Sequence, residues 1–129
     1  MGNVVTDDVT ELKYGSVVVS SAQYMTFESA PGTDYQVTAG KTLVITKLTV
    51  TSRGANAENT IGSSTAGCPD QAAAPAGWAA DTNHLFAMPT AYQTFDIPCH
   101  IEIASARFPG VKNVSGGAQV CISFEGYEK

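Results

Sequence analysis

Along most of this chain apolar and polar residues alternate with a period of two, and a helical period of 3.6 is not sustained anywhere. The clearest run is 95–103, where Phe95, Ile97, Cys99, Ile101 and Ile103 share one face and Asp96, Pro98, His100 and Glu102 share the other. The first set is expected to face a core, with His100 and Glu102 turned away. Pro98 has no N–H to give to a ladder, so the strand is expected to lie at an edge or a bulge there. In the closing segment, 118–127, Val120, Ile122 and Phe124 point inward and Cys121, Ser123 and Glu125 outward, after a Gly116-Gly117 turn. Residues 42–52 form the longest predicted strand, dominated by β-branched side chains. Its early part, Leu43, Val44 and Ile45, is apolar on both faces, whereas Leu48 and Val50 alternate with Lys47, Thr49 and Thr51. One end of this strand must therefore be covered on both sides.

The rest of the pattern is weaker. Val17-Val18-Val19 and residues 24–28 predict two strands ahead of the turn signal Ala30-Pro31-Gly32-Thr33-Asp34. Tyr35-Gln36-Val37-Thr38 then leads through a tight turn at Ala39-Gly40-Lys41 into the long strand. Residues 1–14 contain Asp7, Asp8, Glu11 and Lys13 with few apolar anchors, which predicts an N-terminal arm ordered by docking and a domain spanning 15–129. Residues 53–83, rich in small residues, leave room for one short strand at 60–62, and Pro69, Pro75 and Gly77 hold any helix among the alanines of 71–80 to about one turn. A loop of that length is expected to serve a contact. A short apolar segment at 85–88 ends at Pro89. About eight short strands with Gly/Pro turns specify an all-β fold, a two-sheet antiparallel sandwich of jelly-roll type with one long irregular loop.

Composition narrows the class. A chain of 129 residues suits one domain that needs no staples, and with 43% hydrophobic but only 15% charged residues, part of its surface is expected to be covered by a partner. A net charge of −5 with seven scattered Lys and Arg argues against nucleic acid as a ligand. No run of about 18 apolar residues occurs and the N-terminus lacks a signal-peptide pattern, so neither a membrane span nor export by that route is expected. Met1-Gly2 with Thr6 fits a bare myristoylation pattern and Asn113-Val114-Ser115 a glycosylation sequon; both are short, permissive matches, and a polar terminus and a polar turn are the preferred readings. Cys68, Cys99 and Cys121 are odd in number and lack CxxC spacing, which predicts reduced thiols.

Candidate chemistry is sparse. Cys99 and His100 are neighbours on a strand and point to opposite faces, so they cannot act on one ligand. Asp96, His100 and Glu102 are strung along one strand face, whereas paired glycosidase carboxylates oppose each other across a cleft. His84 has no ligand partner in metal-binding spacing. No GxSxG, HExxH, P-loop or dinucleotide fingerprint occurs, so no enzyme activity, metal or cofactor is expected. Trp78, alone in its Ala/Gly/Pro-rich loop, is either a plug over the end of the sandwich or an anchor for a partner, and Phe86 and Met88 can join it in either role. Leu43 and Ile45 complete the candidate contact set, because a strand apolar on both faces needs a loop or a neighbouring subunit over its second face. A glycan reader would have Tyr14, Trp78 and Tyr92 to work with.

Two stretches resemble small virion proteins of tailed bacteriophages. Tyr35-Gln36-Val37-Thr38-Ala39-Gly40-Lys41-Thr42-Leu43-Val44-Ile45-Thr46 is similar to the V-P-A-G-K-T-L-x-I-T strand pair of phage jelly-roll proteins, with Thr38 in place of Pro. Ile101-Glu102-Ile103-Ala104-Ser105-Ala106-Arg107-Phe108-Pro109-Gly110-Val111, continuing through Gly116-Gly117 to Phe124-Glu125-Gly126-Tyr127-Glu128, looks like the I-P-A-G-K-Y-P-F-V segment and closing G-Y-E of the same proteins. Ala104, Ser105 and Ala106 depart from Pro-Ala-Gly. With the loop start at Ile61-Gly62, the resemblance covers about half of the domain in matching order, and its motifs are turn and strand residues. It implies a homotrimeric decoration or cement protein that binds the major capsid protein or another virion protein, located in the virion and, during assembly, in the host cytoplasm. Such a protein stabilises a shell by binding its assembled state. The alternative is a receptor- or glycan-binding module of a tail or fibre built on the same sandwich.

Overall fold

The computed structural model describes residues 11–54, 57–88, 91–114 and 118–129, with the backbone alone for 57 and 81–88. Ten strands and no helix occur among them: β1 (Leu12–Val19), β2 (Tyr24–Thr26), β3 (Glu28–Ala30), β4 (Thr33–Asp34), β5 (Leu43–Ser52), β6 (Ala57–Ser64), β7 (Ala79–Met88), β8 (Thr94–Ile103), β9 (Phe108–Asn113) and β10 (Val120–Glu128). They pair antiparallel into a six-stranded sheet, β4-β3-β1-β10-β5-β8, and a four-stranded sheet, β2-β9-β6-β7. The two sheets enclose one core, so the expected sandwich is present.

Strand alternation supplies the core. Val17 and Val19 on β1 and Val120, Ile122 and Phe124 on β10 face Ile61 of β6 and Val111 of β9. Phe27 passes between the sheets in the link from β2 to β3 and is fully buried. Its ring meets that of Phe124 edge-on at 5.0 Å, and Tyr35 meets Phe124 in the same way at 5.1 Å. Residue 15 has to be glycine, because a Cβ there would sit 2.3 Å from the Phe124 ring.

On β5 the inward positions change parity, from Leu43 and Ile45 to Leu48 and Val50. The cause is a bulge at Thr46. Lys47 pairs with Glu125 and Pro98, while Ile45 pairs with Gly126 and Ile101, which leaves Thr46 unpaired. Its hydroxyl donates to the Glu125 carbonyl at 3.1 Å. Pro98 thus lies on an edge strand beside a bulge, as the sequence requires.

Several expectations are corrected. Leu43, Val44 and Ile45 are fully buried by the chain itself, so Leu43 and Ile45 cannot contact a partner and need no neighbouring subunit to cover them. Phe95 does not join the core: it shares a face with buried Val50, its register partner, but it is exposed. Burial rises along β8 through half-buried Ile97 and Cys99 to Ile101 and Ile103, because the core closes over that end of the edge strand only. His100 and Glu102 are exposed, as expected. Leu12, Lys13 and Tyr14, assigned to the arm, pair with Tyr127, Gly126 and Glu125; residues 1–10 of that arm lie outside the described residues. The long irregular loop of 53–83 is shorter than expected, since β6 and β7 take up much of it and leave 65–78. Tyr35 and Val37 are buried without belonging to a strand.

Ile101→Ala should cost about 2–5 kcal/mol, since it empties a fully buried site. Phe95→Ala, on the same face of the same strand, should cost less than about 1 kcal/mol. Urea denaturation of both variants checks the register, and equal losses would refute it.

Candidate functional site

The outer faces of the two sheets differ. On the four-stranded sheet, Gly62 of β6 and Gly110 of β9 are register partners, and Trp78 lies over both. A Cβ at Gly62 would come within 2.7 Å of the indole. Tyr24 meets the indole edge-on at 5.1 Å, and the Lys112 ammonium sits 4.3 Å from the Tyr24 ring centre. The 65–78 loop is tied along β2 by hydrogen bonds in both directions between Tyr24 and Gln71, and between Thr26 and Cys68. Arg107 fastens the same loop to β6, donating to the Ser63 hydroxyl at 2.7 Å and to the carbonyls of Ser63 and Gly77 at 2.9 and 2.6 Å. Trp78 is therefore a half-buried cover over a sheet face, not a plug at the end of the sandwich. The side chains of His84, Phe86 and Met88, all on β7, lie outside the described residues.

Among the described residues, nothing covers the centre of the outer face of the six-stranded sheet. One register row crosses all six strands: Asp34, Glu28, Ser16, Ser123, Thr49 and Asp96. From Glu28 to Asp96 the row spans about 19 Å, four inter-strand spacings of about 4.8 Å. Two adjoining shallow depressions of about 240 and 260 Å3 share Ser16, Glu28, Thr49 and Ser123. Tyr14 lines one and is 57% exposed; Val18 lines the other. Thr49 donates to Asp96 at 2.8 Å, Thr51 and Thr94 bond to each other at 2.8 Å, and Lys47 pairs with Glu125 at 3.3 Å. The outward positions on β5 and β10 were legible as an alternation, but their alignment with β1 and β3 depends on register, which sequence does not display.

A third exposed feature lies where β5 ends and β8 begins. Tyr92 is 74% exposed, Val114 45% and Phe95 38%. Tyr92 has a left-handed backbone, φ 61°, held by donation of its N–H to the Ser52 carbonyl at 2.7 Å. The Val114 N–H donates to the Glu58 carbonyl at 2.7 Å. Asn113, the sequon residue, is fully buried and donates to the Ala118 carbonyl at 2.6 Å.

The perturbed titratable groups have structural causes. Burial, then the charges of Asp34 and Asp70, pushes the Cys68 thiol up, and burial alone raises that of Cys99. Both thiols are thereby less nucleophilic, and all three cysteines are free. Glu102 is held below the usual carboxylate range by the His100 imidazole at 2.9 Å and the Lys129 charge at 3.6 Å. At the C-terminus, burial acts to raise Glu128, but hydrogen bonds from the Thr38 N–H and the Tyr35 hydroxyl, at 3.2 and 2.7 Å, outweigh it and leave its carboxyl lowered. Tyr35 is raised in turn, by burial and by that bond to Glu128.

These shifts fix a pH dependence. The lowered Glu128 contributes stability that is complete above its unfolded pKa of about 4.3 and is lost as pH falls through its folded value. The raised Tyr35 contributes stability that is complete below about pH 10 and declines as pH rises beyond it. Tyr35→Phe should cost about 1–2 kcal/mol near neutral pH and lessen the decline above about pH 10, leaving the share of the Cys68 and Cys99 thiols, while Glu128→Gln should make the acid limb shallower. Denaturation midpoints between about pH 3 and 11 check both, and unchanged limbs would refute the assignment. No family model matches the chain, and no curated protein matches it either.

Proposed function

We propose that this chain is a structural protein of a tailed bacteriophage particle, a decoration or cement subunit that binds and stabilises the assembled capsid through the major capsid protein. The observation that carries the reading is spatial: the two stretches that resemble phage jelly-roll proteins, far apart in sequence, pack against each other, the second through both its 101–111 part and its closing Gly-Tyr-Glu. Val37 donates to the Arg107 carbonyl at 2.9 Å, Ala106 to that of Val37 at 3.1 Å, and the Gly40 N–H to the Ser105 hydroxyl at 2.7 Å. Leu43 and Ile45 pair with Ile103 and Ile101, and on the other side with Glu128 and Gly126 of the closing motif. Tyr35 and Thr38 then bind the Glu128 carboxylate. A resemblance made of mutually packed residues describes one structural unit, which supports a shared scaffold more strongly than scattered matches would.

The working surface in this reading is the opposite end of β5, with exposed Tyr92, Phe95 and Val114. Binding to the assembled shell and not to its free subunits stabilises the shell by mass action. The trimer rests on the resemblance alone, since the chain covers its own apolar strand. A second reading, a receptor- or glycan-binding module of a tail or fibre, draws on the polar row of the six-stranded sheet.

Co-sedimentation with emptied shells tests the proposal. The protein should pellet with shells at a saturable ratio and raise their melting temperature. Tyr92→Ser combined with Phe95→Ser should weaken retention by about tenfold or more while leaving the isolated protein folded. Absence of retention at saturating protein would overturn the reading.

A further inference from the structure

We infer that the polar row of the six-stranded sheet is a binding site for a neutral oligosaccharide, which lies across the strands with one sugar face on the Tyr14 ring. The hydroxyls of Ser16 and Ser123 stand directly opposite each other at the centre of the row. Among the described residues, no hydrogen bond engages them or the Tyr14 hydroxyl. Around them the other polar groups are already held in place: Thr49 by Asp96, Thr51 by Thr94, Lys47 by Glu125, and Glu28 by the Gly32 N–H at 3.0 Å. An array fixed before binding loses little side-chain freedom when a ligand arrives.

The shape and charge of the face select the ligand class. Two confluent, open depressions accept an extended chain lying flat; an enclosed pocket would be needed for a small molecule buried on most sides. Glu28, Glu125 and Asp96 face the row, and its one cation, Lys47, is paired with Glu125. Anions are repelled there, while sugar hydroxyls donate to carboxylates and exchange hydrogen bonds with serine and threonine. Tyr14, more than half exposed at the rim, offers a flat apolar surface with a polar tip. A protein partner fits less well, because the fully buried centre of a protein interface is depleted of charged residues, and the lining here carries carboxylates among hydroxyls.

The assignment does not depend on shell binding, which uses the Tyr92 end. Amide chemical shifts of 15N-labelled protein titrated with maltohexaose, cellohexaose and N-acetylchitohexaose test it, with hexagalacturonate as an anionic control. At least one neutral probe should give saturable shifts centred on Ser16, Thr49 and Ser123, and hexagalacturonate none. Tyr14→Ala and Ser16→Val should each weaken that binding by about tenfold with the fold intact, and Tyr14→Phe should retain it. No saturable shift with any neutral probe up to about 20 mM, or shifts centred on Tyr92 or Trp78, would overturn the site. Concentration-dependent broadening at the same residues without sugar would also overturn it, and would name a second copy of the chain as the occupant. Shell retention is read separately by sedimentation, so failure of either proposal is distinguishable from failure of the other.

Discussion

The Phe124 ring has room only because residue 15, across from it on β1, has no side chain, and much of the sandwich is organised around that contact. Phe27 reaches the ring from the link that carries the chain from one sheet to the other, and Tyr35 from the segment entering β5. Tyr35 in turn holds Glu128 on the strand that bears Phe124, so one aromatic cluster ties together residues as distant as 15, 27, 35 and 128. Each edge-to-face pair adds about 0.5–1.5 kcal/mol to the burial of its rings. Their larger effect is to fix how the crossing link and the central strand meet, because the three rings must fit one space.

The bulge at Thr46 is the second organising feature. Without it, Leu48 and Val50 would turn to the outer face whenever Leu43 and Ile45 faced inward, since a shift of one residue moves every side chain across the sheet. With it, β5 contributes to the core along its whole length and presents Lys47, Thr49 and Thr51 outward in one line with β10 and β8. The polar row is thus a consequence of how the core is packed. The same strand joins two dissimilar ends, one clamped by the motif segments and the other carrying exposed Tyr92 and Phe95.

The sheets also divide their outer surfaces unequally. The four-stranded sheet is covered by the chain's own loop, with Trp78 over two glycines and Arg107 as a fastener, which consumes the aromatic residue most suited to anchoring a partner. Among the described residues, the six-stranded sheet has no such cover over its row. Among the described residues, the surface left uncovered includes that face and the Tyr92 end.

Alternation by itself determined the fold class, the inward sets of β10 and of the second half of β8, the outward placement of His100 and Glu102, and the edge position of Pro98. These follow from local rules: period two, β-branched composition and the missing proline donor. Tertiary structure alone decided the rest. Burial of Phe95 depended on how far the facing sheet extends, and strand formation at Ala79 and Ala80 came from pairing with β6 in spite of weak β propensity. Cover for Leu43, Val44 and Ile45 came from the chain and not from a neighbour, which no single strand can reveal. The row from Glu28 to Asp96 was equally hidden, because each strand shows only which of its residues point outward, and register across strands decides which of them meet.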